Sequence, residues 1–248
     1  MRAITRLYRG DSVKEAKLIV ALDLPTLQEA EKWVKHLVPK VRQFKIGSIL
    51  FTAEGPRAVE MVRRYHGEVF LDLKFHDIPN TVAQACRAAS RLGVWMMNLH
   101  LLGGAPTLKE VVSTVNEEAL RTKSRRPILL GVTLLTHLTQ EVLSGVGWPL
   151  DDLREEVALL GKVAKENGLD GVVCSAEEIA SLRKSCGKDF LIVVPGIRPS
   201  GSAVHDQKRI ATPREAVQSG ADYLVVGRPI LESKDPLKTV DDILEEIR

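Results

Sequence analysis

The stretch VFLDLKFHDIPNTV, residues 69–82, places two carboxylates and an ammonium at the end of a short apolar run. Asp72 and Lys74 follow Val69-Phe70-Leu71 closely, and Asp77 lies three residues beyond Lys74. In a strand, side chains two apart point the same way, so Asp72 and Lys74 are expected on one face. Charges at such a place are costly unless they pair or do chemistry. Two readings are open. One is a solvated salt-bridge cluster, in which exposed pairs are worth little. The other is a reaction site, where an ammonium held between carboxylates stabilises a developing anion and can hand it a proton. Lys45, inside the apolar run Phe44-Lys45-Ile46-Gly47, repeats the pattern. An alternating array of Lys45, Asp72, Lys74 and Asp77 would hold its charges in place by mutual attraction in a partly dry pocket.

A second group of residues suits an anion. Gly196-Ile197-Arg198 and Gly227-Arg228 end the last two apolar runs. Glycine lets backbone N–H groups approach a phosphate closely, and Arg228 could add a bidentate clamp. The alternative for Gly227 is tight packing alone. Between these runs, residues 199–208 carry Ser200, Gly201, Ser202 and Gln207, a length and composition that suit either a lid over ligand or a passive surface loop. Asp23, His100 and Thr133 stand late in or just after other apolar runs.

The elements that must position these groups follow from the pattern of apolar runs. Strands are expected at 18–22, 44–47, from 69, at 95–101, 128–135, 171–175, 190–197 and 223–227. Helices are expected after Thr26, where Glu29 completes a capping box, and at 54–65, 78–92, 105–120, 151–167, 177–185, 213–219 and 237–248. Residues 136–149 read as a long connection and residues 1–17 as a lead-in. Strands alternating with helices imply a parallel sheet, and near-continuous apolar runs imply strands buried on both faces. Eight such units without a composition break predict α/β architecture: a single (β/α)8 TIM barrel over residues 1–248. In that fold the candidate residues gather at the C-terminal ends of the strands. A doubly wound sheet is the competing fold, but the first strand–helix turn, LDLPTL, lacks a glycine-rich phosphate fingerprint.

Composition narrows the function classes. Of 248 residues, 44% are apolar and 27% charged, as in a globular soluble chain. A net charge of +3 with only 4% aromatics argues against a nucleic-acid surface, while a few well-placed Lys and Arg could still bind a phosphorylated metabolite. Cys86, Cys174 and Cys186 are too widely spaced for a zinc site or a disulfide framework, which points to a reducing, cytoplasmic setting. No run suits a membrane span, and the first residues lack the apolar core of a signal peptide.

The string DLKFHDIPNT resembles the signature of the orotidine 5′-phosphate decarboxylase family. ALD at 21–23, FKIG at 44–47, VTLLT at 132–136, PGIRPSG with DQKR across 195–209, and VVGRPI at 225–230 resemble further segments of that family in order and spacing. The resemblance covers roughly residues 17–247. It implies a homodimeric barrel, without metal or cofactor, that converts orotidine 5′-phosphate to uridine 5′-phosphate and CO2, the last step of de novo UMP synthesis. It further implies that Lys74 donates the proton to C6, and that Lys45, Asp72, Lys74 and Asp77 form a charged tetrad. Asp77, with Ile78 and Thr81, would reach the partner subunit's site. Asp23 and Lys45 would bind ribose hydroxyls and Thr133 the pyrimidine. Gln207 would bridge base and phosphate, with Arg198, Gly227 and Arg228 around the phosphate. Two other classes compete. A magnesium-dependent sugar-phosphate aldolase or decarboxylase, such as 3-hexulose-6-phosphate synthase, shares D-x-K-x-x-D but needs carboxylate ligands for its metal; here IPNT follows Asp77 and Lys45 occupies strand two. A non-catalytic nucleotide-binding barrel would be marked by loss of the tetrad, whose residues are all present.

Overall fold

A computed structural model describes residues 17–199 and 211–248. The apolar runs become eight strands: β1 (Lys17–Ala21), β2 (Gln43–Gly47), β3 (Glu68–Phe75), β4 (Met96–His100), β5 (Ile128–Val132), β6 (Gly171–Val173), β7 (Leu191–Val194) and β8 (Tyr223–Val226). Each pairs in parallel with the next, and β8 returns to β1, which closes the barrel. The helices are α1 (Leu27–Leu37), α2 (Ser48–Glu54), α3 (Pro56–Arg64), α4 (Pro79–Arg91), α5 (Gly104–Thr122), α6 (Gln140–Gly145), α7 (Leu153–Glu166), α8 (Ile179–Cys186), α9 (Pro213–Ser219), α10 (Arg228–Leu231) and α11 (Pro236–Glu246). The start of α1 shows how sequence sets a boundary. The Thr26 hydroxyl accepts the Glu29 N–H at 3.3 Å, and Ala30, Val34 and Leu37 recur at helical spacing to form the buried face.

The structure corrects three expectations. The helix expected at 54–65 is α3, begun by Pro56 after Gly55 at φ 58°, and a separate helix, α2, precedes it where none was expected. The connection at 136–149 contains α6, capped by the Thr139 hydroxyl. Thr133 falls one residue beyond β5 rather than within it.

The core has two parts. Between strands and helices lie residues such as Phe44, Ile46, Leu71, Met97, Leu99 and Val172. Inside the barrel, Ile19, Phe70, Met96, Leu130, Val193 and Val225 fill the axis, so it is packed rather than open. Two residues further along their strands, the same inward faces present Asp72 after Phe70 and Asn98 after Met96. Lys45 sits beside Ala21 and Phe70 in register, while its neighbours Phe44 and Ile46 point to the helices. The barrel is therefore apolar along its axis and becomes charged at its C-terminal mouth.

The opposite end is held by two similar arrangements. Just before β6, the Asp170 carboxylate accepts the Leu129 N–H at 2.8 Å and the Arg126 guanidinium at 2.6 Å. Just before β8, Asp222 accepts the Ile192 N–H at 2.8 Å and Arg183 at 2.5 Å. In each case an acidic side chain supplies an acceptor to an N–H at the start of the neighbouring strand.

Candidate active site

The site is built on a mismatch between β3 and β4. The register runs Phe70 with Met96, Leu71 with Met97, then Phe75 with Leu99. Three residues, Asp72, Leu73 and Lys74, thus stand opposite Asn98 alone. The extra length bulges β3 and puts Lys74 in the left-handed region at φ 51°. For a residue with a Cβ this costs about 1–2 kcal/mol. The side chain of Asn98 replaces the missing ladder bonds. Its Oδ1 accepts the Lys74 backbone N–H at 2.8 Å, and its Nδ2 donates to Asp72 Oδ1 at 2.7 Å. Lys74 Nζ donates to the same Oδ1 at 2.7 Å. Asp72 and Lys74 therefore do meet, but through the bulge and not through simple strand alternation.

From Asp72 the charges continue across the mouth. Its Oδ2 lies 3.3 Å from Lys45 Nζ, which also donates to Asp23 Oδ1 at 2.9 Å. Asp72 and Lys45 are each 8% exposed and Asn98 is fully buried. Burial pushes the Lys45 ammonium down, but Asp72 and then Asp23 outweigh it and hold it above its ordinary range. Burial pushes the Asp72 carboxyl up, but Lys45 and then Lys74 outweigh it and hold it below the ordinary carboxylate range. Both groups stay ionised near neutral pH. Gly47 makes room for this contact, since a Cβ there would stand 2.7 Å from Asp23 Oδ1 and 2.9 Å from Lys45 Nζ.

The other candidates are distributed around the rim. Asp77 accepts the N–H of Ile78, forms no ion pair among the described residues, and is exposed together with Ile78 and Thr81. The tetrad thus divides into a joined set of Lys45, Asp72 and Lys74, and a separate Asp77. Thr133 is buried at the end of β5, and its hydroxyl donates to the Val173 carbonyl at 2.9 Å. Arg198 is 7% exposed beyond β7, with its N–H donated to Ala211 O at 2.9 Å. Gly227 and Arg228 follow β8, the neighbouring strand, at the start of α10. A Cβ on Gly227 would approach Ala21 Cβ to 3.2 Å. Gln207 and most of the 199–208 loop lie outside the described residues.

Asn98 escaped the sequence reading. Its signal was available: a polar residue inside the apolar run MMNLHLL, the same feature that singled out Lys45. His100 ends β4 as expected, and its ring lies 4.9 Å from that of His76. Burial, then His76, then Lys74 push His100 down to about 4, so it is neutral where Lys74 and Lys45 supply the positive charge. Among the described residues, no three His, Cys, Asp or Glu side chains gather to hold a metal ion.

A fixed ammonium at the barrel mouth can stabilise negative charge and deliver a proton, with neighbouring strand ends β7 and β8 presenting Arg198, Gly227 and Arg228. Comparison with known proteins agrees with such a site. A sequence model described as "Orotidine 5′-phosphate decarboxylase / HUMPS family" matches residues 16–243. The chain is 53% identical to a protein named orotidine 5′-phosphate decarboxylase from Trichlorobacter lovleyi, across 93% of this chain and 95% of that one. It is 48% identical to the protein of the same name from Hydrogenovibrio crunogenus, across 92% and 94%. The crystal structure of orotidine 5′-phosphate decarboxylase from Lactobacillus acidophilus superposes with a TM-score of 0.80 at 34% identity, covering 94% of this chain and 99% of that one. With a family match over nearly its whole length and relatives near half-identical, this chain belongs to the orotidine 5′-phosphate decarboxylase / HUMPS family.

Proposed function

We propose that this chain, a carboxy-lyase, converts orotidine 5′-phosphate to uridine 5′-phosphate and CO2, the last step of de novo UMP synthesis, without metal or organic cofactor. The observation that carries the reading is the Lys74 ammonium, 2.7 Å from buried Asp72 in a row of alternating charges at the barrel mouth. Loss of CO2 from C6 leaves a carbanion with no adjacent carbonyl to take its charge. A preorganised cation must stabilise it directly, and Lys74 does so and then protonates C6. Asp72 lies near the substrate carboxylate, where like-charge repulsion disfavours the bound ground state. Asp23 and Lys45 bind the ribose hydroxyls and Thr133 the pyrimidine. Arg198, Gly227 and Arg228 hold the phosphate, and Gln207 bridges it to the base. Binding energy from the remote phosphate positions C6 against Lys74.

The working unit is a homodimer. Asp77, Ile78 and Thr81 enter the partner's site. In support, all three are exposed, Ile78 by 66%, and Ile49 and Leu102, which follow β2 and β4, are further exposed apolar residues at that end of the barrel. Its ligand is a small molecule, with no role for nucleic acid or membrane. The buried cysteines, which form no disulfide, suit the cytoplasm. A magnesium-dependent sugar-phosphate reaction is disfavoured because Lys45 and Lys74 flank Asp72, and two ammonium groups repel a divalent cation.

A spectrophotometric assay with orotidine 5′-phosphate in EDTA tests the reading. Turnover should be the same with and without chelator. Lys74→Ala should abolish it while uridine 5′-phosphate still binds. No turnover by the parent chain, loss of turnover in EDTA, or an active Lys74→Ala variant would each overturn the proposal.

A further inference from the structure

We propose that Asn98 is a positioning residue for the decarboxylation, fixing the Lys74 ammonium by holding both its backbone and its carboxylate partner. The inference rests on the assignment of Lys74 as proton donor. Lys74 has a left-handed backbone at the point where the β3–β4 ladder skips from Leu71–Met97 to Phe75–Leu99. The bond that secures it is the 2.8 Å contact from its N–H to Asn98 Oδ1. The same amide donates to Asp72 Oδ1 at 2.7 Å, the oxygen that also receives Lys74 Nζ. One fully buried side chain thus closes a ring through the main chain, side chain and counter-ion of Lys74. Asparagine fits both demands, since it offers an acceptor and a donor from one planar group. Aspartate would keep the acceptor but set a second carboxylate against Asp72. Alanine would release both contacts. Neither change touches the phosphate-binding strand ends.

The test compares Asn98→Ala and Asn98→Asp with the parent. The expected result is a split: kcat lower by on the order of 100-fold, as for a misplacement of about 1 Å, with KM and uridine 5′-phosphate affinity within about threefold. A merely structural asparagine would instead lower the active fraction, or weaken binding and turnover together. A folded variant with kcat within threefold of the parent would overturn the proposal. Amide hydrogen exchange on the parent gives an independent reading. The Lys74 N–H should exchange at least about 100-fold slower than an open chain, reflecting its held state. Fast exchange would overturn the proposal even if neither variant folds. If the parent does not decarboxylate orotidine 5′-phosphate, the functional reading fails. Slow Lys74 exchange that Asn98→Ala abolishes would then leave the positioning role standing, and unchanged exchange would remove it.

Discussion

At the scale of single residues, Asp72 and Lys45 decide the site, since each is buried and each depends on the other. Their protonation gives this dependence a sign. The folded-state pKa of Asp72 is lowered, so its contribution is present above its unfolded pKa, about 3.9, and is lost as pH falls through the folded value. That of Lys45 is raised, so its contribution is present below its unfolded pKa, about 10.4, and is lost as pH rises through the folded value. Stability from the pair should therefore be flat through the neutral range. Asp72→Asn leaves Lys45 with Asp23 alone, which is half-exposed. Breaking a buried pair in this way costs on the order of 3–5 kcal/mol. Urea unfolding should find that loss unchanged between pH 5 and 8 and shrinking below about pH 4, where the unfolded chain begins to take up the proton that folded Asp72 resists. A loss of constant size down to acid pH would contradict the assignment.

At the scale of elements, most of the barrel was legible in the sequence. Every apolar run became a strand, because a strand buried on both faces needs little more than continuous β-branched and aliphatic residues. The positions of Lys45 in β2 and Asp72 in β3, with Arg198 beyond β7, followed from the same runs. The three-against-one bulge did not, because register belongs to two strands at once and β3 alone carries no mark of what β4 will skip. The helices α2 and α6 were missed because each, at seven and six residues, is too short to show an apolar stripe. Elements also separate stability from activity. Asp170 ties β5 to the start of β6 at the barrel end away from the mouth. Asp170→Ala should cost about 1.5–3 kcal/mol, the worth of hydrogen bonds to a charged group. Arg126 keeps Asn116 and the Pro127 carbonyl as partners, so it is not left bare. Chemical denaturation should register the loss while kcat stays within about twofold of the parent. A matching fall in kcat would mean that the two ends of the barrel are not independent.

At the scale of the whole molecule, the proposed dimer supplies the fourth member of the charged tetrad from a second copy. Lys45, Asp72 and Lys74 are joined within one chain, whereas Asp77 is exposed and forms no ion pair among the described residues. Only two residues separate Lys74 from Asp77, yet the bulge turns Lys74 toward Asp72 while Asp77 accepts its own neighbour's N–H. In a two-fold dimer each site would then take Lys74 from one chain and Asp77 from the other. This arrangement makes a quantitative prediction. Lys74→Ala and Asp77→Ala should each be nearly inactive alone. When they are mixed in equal amounts and allowed to exchange, half of the dimers are hybrids. Each hybrid carries one site with both substitutions and one with neither, so the mixture should recover about a quarter of the parent activity. Recovery must track the hybrid fraction measured by native mass spectrometry. Hybrids that form without any gain would place Asp77 in its own chain's site, and the exposed rim around Ile78 would then need another explanation.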